Sequence, residues 1–205
     1  MVSLTTSLRR GIKYDCIAPD NCDGHCCWGA GSIYIFADDI ARAAKFLNMD
    51  LDDFLDKHVD VIEAPPVHVK YDGKIPQLVF KETGEKAACH FQDGKGLCTI
   101  HPARPFQCSG YPFWKMNVKN KEAWAKLAAA CPAVKASRKK KGAKWYTAAE
   151  IKRLVHDEIQ LDVEWEKLMV EWKGDYRSYL HQFVAKQNAR QDYQRKGKET
   201  SPPPS

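Results

Sequence analysis

The chain has 205 residues, of which 44% are hydrophobic and 28% charged, and its net charge is +6 at pH 7. This length suits one domain, or one domain with an appendage, and this composition is ordinary for a globular protein with a buried core. No run of eighteen apolar residues occurs, so the sequence predicts no transmembrane helix and no membrane partner. The first residues hold no continuous apolar stretch, which predicts a cytoplasmic protein without a secretory signal.

The positive charge is unevenly distributed along the chain. Residues 1–132 carry 16 Lys+Arg and 16 Asp+Glu, whereas residues 133–205 carry 16 and 10. Such a change in composition indicates a boundary after the last cysteine. We predict a cysteine-cluster domain over residues 1–134, a basic linker over 135–146, a C-terminal helical extension over 147–190 and a disordered tail over 191–205.

Four of the eight cysteines fall within residues 16–27, a short polar stretch rich in turn-forming residues. A structural thiol usually lies among apolar neighbours instead. Clustered cysteines in a cytoplasmic protein more often bind metal or catalyse than form disulfides. The stretch therefore predicts a site for a metal ion or an iron–sulfur cluster, with a disulfide framework as the alternative.

Short strands and helices are predicted between residues 32 and 81. Residues 32–36 are rich in β-forming residues, and helices are predicted over 38–48 and 51–58. The turn pair Asp72-Gly73 predicts a hairpin that pairs residues 67–71 with residues 77–81.

The other four cysteines lie among turn residues further along the chain. A second predicted hairpin places Cys89 and Cys98 on its two arms, a common way to offer two thiolates to zinc. Three prolines and a glycine stiffen the next segment, which presents Cys108. A predicted helix over 121–130 ends at Cys131, so this second group of cysteines could close the site.

The last third of the sequence predicts a pair of helices. Thr147 and Glu150 have the spacing of a capping box, and apolar residues recur at helical intervals until Gly174 interrupts the pattern. The predicted fold class is α+β: a small irregular cysteine-rich core with short hairpins and helices, plus a C-terminal helical pair.

The complete cysteine pattern resembles that of the YkgJ-type cysteine-cluster family, whose domain is described as zinc- or iron-chelating. Shared features are the early four-cysteine loop, the later cysteine pair, an Arg-Pro-x-x-Cys-x-x-Tyr-Pro-Phe element and a final cysteine, over about residues 14–134. The metal ligands that the resemblance implies are Cys16, Cys22, Cys26, Cys27, Cys89, Cys98, Cys108 and Cys131. Flagellin lysine methylases carry a similar cluster within a larger enzyme, so the resemblance leaves open whether this protein is an enzyme.

Thiolates are soft ligands that suit both zinc and iron–sulfur clusters. Because the chain lacks the paired Cys-x2-Cys knuckles typical of zinc sites, we favour an iron–sulfur cluster over Zn²⁺. Arg104 is the candidate to stabilise the negative cluster or to hold an anionic ligand, and surface stacking on an aromatic ring is its alternative. His25, His90 and His101 are predicted neighbours of the thiolates rather than ligands.

The basic stretch over residues 135–144 precedes Trp145 and Tyr146. Such a stretch could contact nucleic acid through phosphates and stacking, although a short charge run is more often a solvated linker. No phosphate-binding loop, dinucleotide-binding glycine motif, nucleophile elbow or His-Glu-x-x-His motif occurs, so several common enzyme classes have no support.

Overall fold

The computed structural model describes residues 4, 8–16, 24–27, 32–84, 87–95 and 97–199. Its helices are α1 Ala37–Phe46, α2 Leu51–His58, α3 Phe106–Gly110, α4 Lys115–Val118, α5 Lys121–Ala130, α6 Pro132–Ala136, α7 Ala148–Glu171 and α8 Tyr176–Glu199. None of the helices in these ranges is long and apolar enough to cross a membrane.

Within these ranges the strands form three small antiparallel sheets of two strands each. They are β1 Ile12–Lys13 with β6 Trp145–Tyr146, β2 Val59–Ala64 with β3 Ile75–Phe80, and β4 Glu82–Thr83 with β5 Ala88–Cys89. These small sheets, together with the helices and the C-terminal helical pair, confirm the predicted α+β class.

The strand that pairs with β3 is β2, and not residues 67–71 as the Asp-Gly turn predicts. The Glu166 carboxylate of α7 binds the segment after β2 instead. It accepts hydrogen bonds from the backbone N–H groups of Val67, His68 and Val69 at 2.7, 2.7 and 2.9 Å. Because a distant side chain takes these donors, they cannot join a sheet ladder.

The region of the other predicted strand and hairpin is only partly regular. Within residues 32–36, Tyr34 forms an isolated bridge to Val79. The tight turn after residue 92 is present, but Cys98 pairs across it with Gln92 rather than with Cys89. Cys89 lies three residues earlier on β5, so the two cysteines do not face each other across one ladder.

Two clusters of buried side chains form the core. In the first cluster, α1, α2 and the β2–β3 sheet pack against Trp165 and Met169 of α7 and Leu180 of α8. In the second, β1 and the segment around Phe113 pack against the start of α7, including Ile151. Helix α7 is thus shared by both clusters, and each cluster combines residues on the two sides of the predicted linker.

The predicted linker is attached to the N-terminal segment. The Ser137 hydroxyl is fully buried, accepts from the Asp15 N–H and donates to the Asp15 carbonyl, each at 2.9 Å. Helix α8 continues past Arg190, where the sequence predicts a disordered tail, to Glu199. Residues 191–199 include several good helix formers, which accounts for this continuation. Residues 200–205 lie outside the described ranges.

Candidate metal centre

A cavity of about 500 Å³ lies where the first cysteine stretch meets the segments that carry the later cysteines. The cysteines that line it are Cys16, Cys26, Cys27, Cys89, Cys98 and Cys108. They belong to four parts of the chain: the N-terminal stretch, β5, the turn-rich segment after it and α3. The fold therefore brings thiols from distant parts of the chain to the lining of one cavity.

Cys26 and Cys27 lie in a single turn of 3-10 helix, where the Cys27 N–H donates to the Gly24 carbonyl at 2.7 Å. Their sulfur atoms are 4.0 Å apart. Two thiolates on one tetrahedral zinc, each at a Zn–S distance of about 2.3 Å, have sulfurs roughly 3.8 Å apart. The pair is therefore placed to supply two ligands to one metal ion.

Asp39 of α1 orients the segment that carries Cys108. Its buried carboxylate accepts from the backbone N–H of Phe106, the first residue of α3, at 2.9 Å and from Arg42 at 2.6 Å. Burial raises the pKa of Asp39, while hydrogen bonds from the Phe36 and Phe106 N–H groups oppose this shift. No local pattern in the sequence indicates this role of Asp39, because it depends on a contact with a residue 67 positions away.

Burial keeps several of the thiols protonated. It raises the pKa of Cys89 to about 11 and also raises the pKa of Cys98 and Cys108. For Cys26, the hydrogen bond with Cys27 is the first cause of a raised pKa, and burial is the second. Metal ligands are thiolates, so a metal that enters this cavity must displace protons from them.

Arg104 lines the same cavity as the thiols. Its positive charge lowers the pKa of Cys26, Cys98 and Cys108, against the effect of burial. The guanidinium lies 2.6 Å from Nε2 of His101, whose own pKa is lowered by burial and then by Arg104. Within the described ranges Arg104 forms no ion pair with a carboxylate, so its charge is available to the cysteine cluster.

Of the two remaining predicted ligands, Cys131 lies away from the cavity lining and Cys22 is outside the described part of the chain. Cys131 is 5% exposed and packs in the second core cluster, at the junction of α5 and α6, and it does not line the cavity. Tyr14 belongs to that cluster and also lines the cavity. Its pKa is raised by burial first and then by the charge of Cys131. Cys22 lies outside the described residues.

The three histidines considered from the sequence also differ in position. His101 lines the cavity, whereas His90 packs against the ring of His58, with 4.9 Å between the ring centroids. The side chain of His25 lies outside the described part of the structure. Among the residues described, no three His, Cys, Asp or Glu side chains converge closely enough to hold a metal ion. Which of the cavity thiols bind metal thus stays a prediction.

A comparison with protein families matches residues 15–132 to the model of a family named CxxCxxCC and described as a putative zinc- or iron-chelating domain. The match covers more than half of the chain and includes all eight cysteines. No solved structure matches the chain.

Proposed function

Because the chain belongs to the CxxCxxCC family of putative zinc- or iron-chelating domains, we propose that its cysteine-lined cavity holds an iron–sulfur cluster. The observation that carries the proposal is that six of the seven cysteines that the structure describes line one cavity of about 500 Å³. A single zinc ion within four thiolates needs little of that space, and structural zinc sites are closed. Iron–sulfur clusters are held by thiolates at varied spacings, which suits ligands from four parts of the chain.

The residues that would hold the cluster are the cavity thiols, among which Cys26 and Cys27 are close neighbours. Arg104 would balance the negative charge that develops when these thiols lose their protons. A bound cluster would supply one-electron redox chemistry, and its potential would depend on nearby charge and on exposure to solvent. The role we propose is accordingly redox or metal handling.

Zinc is the second candidate, and one observation favours it. The 4.0 Å separation of the Cys26 and Cys27 sulfurs is close to the separation of two thiolates on one zinc ion. A zinc centre would make the site structural, or hydrolytic if one coordination position stayed open.

The decisive experiment is to purify the protein without oxygen, record its visible spectrum, and measure iron, sulfide and zinc per chain. A brown protein with nearly equal amounts of iron and sulfide is the expected result. A colourless protein with one or two zinc ions per chain would replace the cluster by zinc and keep the metal site. A protein without either metal, with its thiols paired as disulfides, would contradict both candidates.

A further inference from the structure

Two basic segments that are far apart in the sequence, residues 8–16 and 137–146, meet on one antiparallel ladder. Lys13 of β1 lies opposite Trp145 of β6, and the Tyr14 N–H donates to the Lys144 carbonyl at 2.9 Å. The buried Ser137 hydroxyl holds the second segment to the backbone of the first, across 122 positions of the sequence. We refer to these two segments together as the basic surface.

The basic surface holds the whole positive excess of the protein. Its cations, all of them exposed, are Arg9, Arg10, Lys13, Arg138, Lys139, Lys140, Lys141 and Lys144. Asp15 is the one carboxylate in these segments, which gives a net charge of +7, against +6 for the entire chain. Lys140 is paired with Asp15 at 2.6 Å, and Lys144 lies 3.9 Å from Glu150. The other six cations form no ion pair with any residue that the structure describes.

The basic surface also carries an exposed aromatic ring. Trp145 is 51% exposed. It lies opposite Lys13 on the ladder, and it directly follows Lys144 in the chain. Its ring packs closely over Gly11, where an added Cβ would approach the ring to 2.7 Å. Gly11 also has a φ of +81°, so a side chain is excluded there by conformation as well as by space. The backbone thus supports one part of the ring, and the rest is open to a ligand.

We propose that the basic surface binds single-stranded nucleic acid, with the cations on phosphates and Trp145 stacked on a base. Proteins that bind single strands combine a basic track along the backbone with aromatic rings on which bases stack. Lys144 and Tyr146 also line the cysteine cavity, so a bound strand would pass beside the metal centre.

The combination of charge and ring separates this partner from two others. A double helix keeps its bases stacked on one another, so a single exposed ring cannot stack on them, and its binding would rest on charge alone. An acidic protein would likewise use the cations and gain no stacking from Trp145. The exposed ring on the basic surface therefore favours a single strand.

The test uses the full chain, purified without oxygen with the metal it carries, and a fluorescent single strand of about 15 nucleotides, a length near the upper end of known site sizes. We expect measurable binding by fluorescence anisotropy that weakens steeply with salt. The Trp145→Ala variant should bind roughly 5- to 100-fold more weakly, whereas Trp145→Phe should keep most of the affinity because a ring remains.

Charge is tested separately from stacking. The Lys139→Gln/Lys141→Gln double variant should reduce the slope of log affinity against log salt by about 1.4, since each lost phosphate contact removes about 0.7. The matched control is Lys57→Gln/Lys74→Gln, which removes two exposed lysines outside the basic surface and should leave the slope unchanged. Circular dichroism checks that each variant is folded.

Three results would overturn the proposal. The first is no binding at low salt, and the second is equal affinity for the native protein and a folded Trp145→Ala variant. The third is displacement of the labelled strand by polyglutamate, or by a duplex of the same sequence, as effectively as by the unlabelled strand. That outcome would assign the surface to acidic proteins or to duplexes through charge alone. None of these measurements depends on which metal the cavity holds, so this proposal and the proposed function can fail separately.

Discussion

Cys108 and Ser109 are neighbours on α3, and both line the cavity, but Cys108 alone carries a thiol. We expect Cys108→Ser to lose most of the bound iron or zinc, because a hydroxyl is a poor ligand for metals that prefer thiolates. Ser109→Ala, the matched control, should keep the metal content of the native protein. Metal analysis of the two variants side by side is the measurement, and a Cys108→Ser protein with full metal content would remove Cys108 from the ligand set.

Arg104 is the charged residue that acts on several cavity thiols at once. We expect Arg104→Gln to weaken metal retention roughly 10- to 100-fold, the range typical for residues that support metal ligands without binding the metal. Arg104→Lys keeps the positive charge and should lose much less. Competition with a coloured chelator measures this effect. Equal metal retention by the Gln variant and the native protein would show that Arg104 does not support the metal site.

His58 is 5% exposed, and its Nδ1 atom has no hydrogen-bond partner among the described residues. Burial first, and then the neighbouring His90, lowers the pKa of His58 from 6.5 to about 4. Between these two pH values the unfolded chain binds a proton that the folded protein does not, so the free energy of unfolding should fall as the pH falls from about 6.5 to about 4.

Urea denaturation across that pH range measures the contribution of His58. In His58→Leu the loss of stability over this window should be smaller, because the group that titrates is gone. His156→Leu replaces an exposed histidine and is the control, which should follow the native pH dependence. An unchanged pH dependence in His58→Leu would show that other groups cause it.

At the level of elements, α7 organises the loop after β2 as well as the two core clusters. The buried Glu166 carboxylate accepts three backbone hydrogen bonds from residues 67–69. In Glu166→Gln one carboxylate oxygen becomes an amide group that cannot accept, so at least one of these backbone N–H donors loses its partner. We expect a loss of about 1–3 kcal/mol in the free energy of unfolding, measured by denaturant titration.

Glu164→Gln is the matched control, because Glu164 lies on the same helix and is exposed. It should change the stability by less than about 0.5 kcal/mol, as surface substitutions usually do. Equal stabilities for the two variants would show that the 67–69 loop does not depend on the Glu166 carboxylate.

For the whole molecule, the metal centre should contribute to folding. Cys89 belongs to the first core cluster, and Cys27 and Cys98 pack against it, so a metal bound to them would connect the N-terminal stretch to that cluster. A ligand that binds the folded chain alone raises its stability. We therefore expect a chelator to lower the Tm of the native protein, and to have little further effect on the Cys108→Ser variant. A Tm that is insensitive to metal removal would show that the fold does not need the metal.

Local sequence signals determined much of the fold. The Thr147–Glu150 capping box marks the start of α7, and Gly174 follows its end. Helices α2 and α5 occur where they are predicted. These signals suffice because capping and helical periodicity act over a few residues. The grouping of the cysteines predicts a shared metal site, which stays a prediction, and six of the described cysteines line one cavity. These features depend on neighbours in the sequence, or on the number and chemistry of the thiols.

Only the tertiary structure decided how distant segments pair. Three features depend on contacts between distant parts of the chain. Strand β2 pairs with β3, and the Glu166 carboxylate binds the N–H groups of residues 67–69. Residues 8–16 pair with residues 137–146. The position of Cys131 in a core cluster is decided in the same way. Such contacts follow from how whole elements pack and from which buried donors find acceptors, and no local pattern in the sequence carries that information.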